Sequence, residues 1–187
     1  MTDKTRKTYP VDLIARYFLS LATSNDHEED YEPLSHLKLQ KLCYYAFGVA
    51  SSLREENSPP LFEEPIEAWF HGPVVPELYE TFKKYKNCNI PEEESATEEQ
   101  ARQIDWIDRK ILDDVFYTYG QFTAWKLREM THSEDPWKDS YNNNTYMSAT
   151  IYPEKIRNFF IKTISEDYIE SYHEYEQEND KKINNSI

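Results

Sequence analysis

Apolar residues recur at helical spacing along most of the chain. Val11, Ile14, Ala15, Phe18, Leu21 and Ala22 follow Pro10 with the step that places them on one helix face. Leu39, Leu42, Cys43, Ala46, Val49, Ala50 and Leu53 repeat the pattern; Ser35 fits its N-cap, and Pro59-Pro60 end it. The period then changes. Ile66, Ala68 and Phe70 alternate with Glu67 and Trp69, a step of two that fits either two short edge strands or an irregular arm. Pro76 suits the first position of the next helix, whose buried face is Leu78, Tyr79, Phe82 and Tyr85. Residues 87–103 hold acidic clusters and few apolar side chains, and read as a mobile connector or a solvated helix start. Ile104, Ile107, Ile111, Leu112, Val115, Phe116 and Tyr119 form a strong stripe, with Gly120 placed for a left-handed stop.

The second half continues in the same period. A short helix is expected over Ala124–Met130, then another with Asp135 as N-cap, Pro136 at the first position and Trp137 as an aromatic anchor. Pro153 opens a last helix through Ile156, Phe159, Phe160, Ile164, Tyr168, Tyr172 and Tyr175. Residues 24–33 and 141–147 read as loops. The pattern predicts a mainly α single domain of about six or seven helices, with an extended or β-paired insert near residues 61–72.

Charge narrows the function. The chain has 35 Asp+Glu against 21 Lys+Arg, a net charge of −14. Such a field repels phosphates and attracts basic partners. Lys38, Lys41, Lys83, Lys84 and Lys86 are the one basic density and read as a solvated face, with no recognition-helix signature. No apolar run reaches membrane-spanning length, and the polar start MTDKTRKTYP lacks a signal-peptide core, so a cytoplasmic protein is expected. Cys43 and Cys88 have no metal-like spacing, and Gly48, Gly72 and Gly120 are too dispersed to cradle a phosphate. No cofactor or metal is expected.

Two histidines invite a chemical reading. His71, before Gly72 and Pro73, has the place of a general base on a tight loop, and an enzyme built on His71 or His132 is one alternative. His132, with Glu134 and Asp135 beside it, has the place of a metal ligand. No nucleophile motif accompanies either, so the structural reading is preferred for both. On that reading EAWFHGPVVPELY, residues 67–79, is a shape device: an arm ends at Gly72, Pro73 stiffens the exit, Pro76 starts a helix, and Trp69 and Phe70 pack on either side. Thr131, His132, Pro136 and Trp137 serve the same purpose in THSEDPW. The far half of the last helix differs. Tyr168, Tyr172 and Tyr175 stand among Glu170, Glu174 and other carboxylates, a composition that fits a partner-binding face or simply the domain's own core.

Taken together, LKLQKLCYYAFGVA (37–50), PLFEEPIEAWFHGPVVPELYETFKKY (60–85) and LREMTHSEDPW (127–137) resemble the Panacea antitoxin domain, the SocA-like or phage-associated GepA-type family. The resemblance covers about residues 11–161, leaving an acidic Tyr-rich extension over about 162–178 and a polar tail over 179–187. It implies a bacterial or phage antitoxin that neutralises a cognate protein toxin by direct binding. A proteolytic adaptor that delivers the toxin to a protease is the alternative it implies, since one member acts that way. The expected partners are the toxin, with a protease or a second copy of the chain as others; the chain's own charge argues against nucleic acid, and no membrane is expected. Family members carry no catalytic residue to transfer, and the extra DNA-binding segment of some members has no counterpart in this sequence. Tyr152 stands where the family pattern has Ser or Thr, so the last helix is expected to lack a side-chain cap.

Overall fold

A central helix organises the molecule. The computed structural model describes residues 6–23, 33–141 and 149–184; the expected loops at 24–33 and 141–147 fall almost wholly outside them. Helix α2 (His36–Leu53) is buried on nearly every face and packs against α1 (Val11–Thr23), α3 (Pro76–Phe82), α5 (Trp106–Tyr119), α6 (Ala124–Ser133) and α8 (Pro153–Thr163). A helix surrounded in this way needs apolar residues all round, and LCYYAFGVA supplies them. Ser35 caps it, its hydroxyl accepting from the Lys38 amide. Gly48 lets the Phe160 ring of α8 lie directly on the α2 backbone; a methyl there would overlap the ring.

The molecule is mainly α, with nine α-helices among the described residues and one small antiparallel sheet. The count exceeds the expected six or seven for two reasons. Residues 87–103 are built rather than loose: Ile90 is buried, and the four-residue α4 (Glu98–Ala101) has a full capping box between Thr97 and Gln100. The last helix is two helices. Ile164 takes extended ψ 136, ending α8, and the Ser165 hydroxyl accepts from the Tyr168 amide to start α9 (Glu166–Asn184). A β-branched residue followed by a serine favours such a break.

Three further expectations are corrected. Gly120 closes α5 in a right-handed conformation, φ −63, and the stop needs no left-handed residue. The cap of α7 (Asp135–Lys138) is Glu134, with Asp135 and Pro136 one position further in. Phe70 does not pack beside the arm; it is 62% exposed, and Trp69 is half-buried. Other signals hold as read: Pro76 begins α3, and Tyr152 caps α8 without a side-chain bond.

The sheet runs in the order β2 (Gly72–Val74), β1 (Glu67–Trp69), β3 (Ala149–Thr150). Glu67 pairs with Val74 and Trp69 with Gly72, leaving Phe70 and His71 as the hairpin tip. A buried ion cluster ties the remaining parts together. Asp108 on α5 pairs with Arg54 at 2.9 Å, accepts from the Tyr9 hydroxyl at 2.9 Å, and faces Arg6, which also pairs with Glu176 of α9 at 2.7 Å.

Candidate functional site

Three stretches separated along the chain meet under the hairpin. From α2, the Gln40 amide holds Val75 in both directions: its oxygen accepts from the Val75 amide at 2.8 Å and its nitrogen donates to the Val75 carbonyl at 3.2 Å. From the next residue of the same helix, Lys41 Nζ donates to the Pro73 carbonyl at 2.7 Å. From α6, Thr131 stands against Gly72, whose φ is +97. A methyl at Gly72 would sit 2.7 Å from Thr131 Oγ1 and 2.9 Å from Lys41 Cε. Only glycine fits both the backbone and the space.

Below this contact lies a carboxylate. Glu134 accepts from the Tyr45 hydroxyl at 2.8 Å and the Tyr44 hydroxyl at 2.9 Å. Burial pushes its pKa up to about 7; the two tyrosine bonds and the Lys41 charge oppose the rise without cancelling it. Lys41 is fully buried. Burial, reinforced by Arg128, pulls its pKa down to about 7, and Glu134 partly restores it. Lys38 and Lys41, expected on a solvated basic face, are both buried in α2. Long stems next to apolar partners made that possible, and Lys41 found a carbonyl for its head.

The second wall is aromatic. Trp137 on α7 donates from Nε1 to the Trp69 carbonyl at 2.9 Å, locking α7 to β1. His132 stacks on Trp137 with centroids 3.9 Å apart and planes within 7°. Its pKa falls to about 4, chiefly through burial and then through Arg128, Lys41 and His71, so the ring is neutral at pH 7. His71 at the tip accepts from Arg128 Nε at Nδ1, 3.0 Å away, and burial and that cation lower its pKa too. The two histidines therefore act here as packed and hydrogen-bonded parts. Pro136 is buried beside Trp137. Among the described residues there is no group of three or more His, Cys, Asp or Glu set to hold a metal.

What this foundation presents is a cluster of exposed rings around one guanidinium. Phe70 at the tip and Trp125 on α6 are 62% and 61% exposed. Arg128, one turn after Trp125, lies 5.7 Å from the Phe70 centroid and 5.4 Å from that of Trp125. The His71 ring meets both aromatics edge-on. Sequence reasoning named neither Trp125 nor Arg128. The signal was there: Trp and Arg at i, i+3 share a helix face, and an aromatic directly before His-Gly-Pro falls on a turn.

The residues expected to bind a partner on α9 divide. Tyr172 is 2% exposed and lies inward beside Arg6. Tyr168 donates to Asp114 at 2.9 Å, and Tyr175 packs on Trp106 at 5.7 Å while keeping one side open. These rings hold α9 to the body, and Tyr172 is out of a partner's reach while α9 is docked. Glu170 and Glu174 are exposed on the opposite face.

The fold and the site define a helical scaffold whose polar interior fixes one hairpin and displays its tip. Among the described residues no helix is long and apolar enough to cross a membrane. The chain matches the family described as antitoxin SocA-like, Panacea domain, over residues 39–138, just over half of its 187 residues, and belongs to that family. The matched span runs from within α2 to the end of α7 and holds Gln40, Lys41, Thr131 and Trp137, whose side chains meet the hairpin; β3, which pairs with β1, lies beyond it. No curated protein and no solved structure matches the chain.

Proposed function

We propose that this protein is an antitoxin of a toxin–antitoxin system, active in the cytoplasm, that neutralises a cognate protein toxin by binding it directly. The observation that carries the reading is the family match over residues 39–138, which includes the hairpin and the helices beneath it. The geometry supports it. Gln40 and Lys41 are engaged in holding the hairpin backbone, and the displayed residues are of the ring and guanidinium types that dominate protein interfaces. The protein then works by occupancy rather than by covalent chemistry. The net charge of −14 favours a basic partner, and Glu170 and Glu174 on the outer face of α9 add to the field that speeds its approach.

The test is co-expression with the product of the neighbouring reading frame. That product alone should arrest growth, this protein should restore it, and the two should co-purify as a stoichiometric complex. Growth restored without a complex would refute direct binding. Addition of a cellular protease separates the adaptor mode, because only an adaptor makes the toxin disappear faster when this protein is present.

A further inference from the structure

Beside the hairpin tip runs a groove of about 440 Å³ whose walls include Trp69, Phe70, Tyr79 and Trp125, with Lys83 and Lys86 at its rim. No Asp or Glu lines it, although carboxylates outnumber cations 35 to 21 in the chain. The larger groove around Pro59–Pro65 is lined by five glutamates. The aromatic groove is therefore a local exception to the field of the molecule.

Two cations are available to it: Lys86 in its lining, and Arg128, which lies outside the lining but beside the Phe70 and Trp125 rings of its wall. Lys83 is paired with Glu80, but Lys86 is exposed and has no ion-pair partner among the described residues. Arg128 donates Nε to His71 and lies near both the Phe70 and Trp125 rings, with no carboxylate on its terminal nitrogens among the described residues. A guanidinium tethered in this way has less rotamer freedom to lose on binding. Lys86 also has φ 52, the one positive value outside glycine among the described residues. Backbone strain of that kind is kept where the surroundings over-determine it.

We infer that this groove is the toxin-contacting surface, and that it takes a segment of the toxin carrying an apolar or aromatic anchor flanked by carboxylates. The inference rests on the antitoxin reading. The anchor lies against Trp69, Tyr79 and Trp125, and the carboxylates meet Arg128 and Lys86. The acidic exterior and the basic groove have separate tasks: the first draws in a partner of opposite overall charge, and the second admits it in one register.

The experiment places a photo-crosslinking phenylalanine at position 70, 125 or 152 and co-expresses each form with the neighbouring gene's product. Tyr152 is as exposed as Phe70 but follows β3, at the end of the sheet away from the tip. Toxin adducts are expected from 70 and 125 and not from 152. Binding by purified Trp125→Ala should weaken at least tenfold with its thermal midpoint unchanged, since that ring is exposed, and binding by Arg128→Glu should weaken still more, its fold checked by circular dichroism because Arg128 is half-buried and bonded to His71. If the wild type rescues growth while 70 and 125 give no adduct, or Trp125→Ala binds as well as wild type, the groove assignment is wrong and the antitoxin reading stands. If adducts form but Arg128→Glu and Lys86→Glu bind normally, the acidic character of the segment is refuted. If the wild type neither rescues nor binds, the antitoxin reading fails and this inference with it.

Discussion

Replacing Glu134 by Gln should destabilise the protein more at pH 5 than at pH 8. The carboxyl titrates at about 7 in the fold, against 4.5 for the ordinary group, because burial outweighs two tyrosine bonds and the Lys41 charge. The folded state therefore holds the proton more tightly than the unfolded chain. Its contribution is complete below about pH 4.5 and is lost as pH rises through about 7. Between pH 8 and pH 5 the wild type gains about 2–3 kcal/mol from this group, at about 1.4 kcal/mol for each tenfold change. Gln has nearly the same shape, accepts from one tyrosine hydroxyl and donates to the other, and does not titrate. Its cost should be within about 1 kcal/mol at pH 8 and larger by about 2–3 kcal/mol at pH 5. Lys41 acts in another window. Its folded pKa lies below the ordinary 10.5, so its effect is a rise in stability between about pH 7 and 10.5. Urea unfolding followed by tryptophan fluorescence, wild type against Glu134→Gln at both pH values, measures the difference. A cost that is equal at the two pH values, or greater at pH 8, would show that Glu134 is an ordinary ionised carboxylate.

Gly72→Ala should cost about 2–4 kcal/mol, since it combines a left-handed backbone with contacts to Thr131 and Lys41, and a midpoint within a degree of wild type in thermal unfolding would contradict this. Asp108→Ala should cost about 3–5 kcal/mol by leaving the Arg54 guanidinium buried without its partner, read from the urea midpoint at constant slope. Trp137→Ala should cost about 3–5 kcal/mol, with Trp137→Phe intermediate because it keeps the stack on His132 but loses the bond to the Trp69 carbonyl. Truncation after Ser165 removes the Arg6–Glu176 pair and the cover that Tyr172 provides, and should lower the thermal midpoint by several degrees; an unchanged midpoint would mean that α9 is a detachable extension.

How much of this was legible depends on the range of the interaction. Ser35 and Pro76 act on their own helix, and their roles are as the sequence suggests. The apolar stripes locate α1, α2 and α5 because burial follows a fixed period. Lys41 was misread because local pattern treats a lysine as solvated; its burial follows from a carbonyl 32 residues away. Glu134 is similar. In sequence it is one acid among several near His132, and only the fold brings it to Tyr44 and Tyr45, about 90 residues earlier. The broken last helix was missed for a different reason: its apolar period continues almost in phase across Ile164 and Ser165, so periodicity cannot see the change of direction. The exposed cluster of Phe70, Trp125 and Arg128 escaped because a period-two strand pattern assigns Phe70 to the core, whereas the turn puts it outside.

The contact between Gly48 and the Phe160 ring constrains how sequences of this shape can diverge. Any side chain at 48 collides with the ring, and a smaller residue at 160 leaves an empty space on α2 while 48 remains glycine. Each single step is harmful, yet the two are complementary, since a methyl at 48 occupies volume that a trimmed 160 gives up. Gly48→Ala and Phe160→Leu should therefore be strongly non-additive, the double change costing less than the sum of its parts. Evolution along this helix pair then proceeds by paired exchange, and positions 48 and 160 drift together or stay fixed.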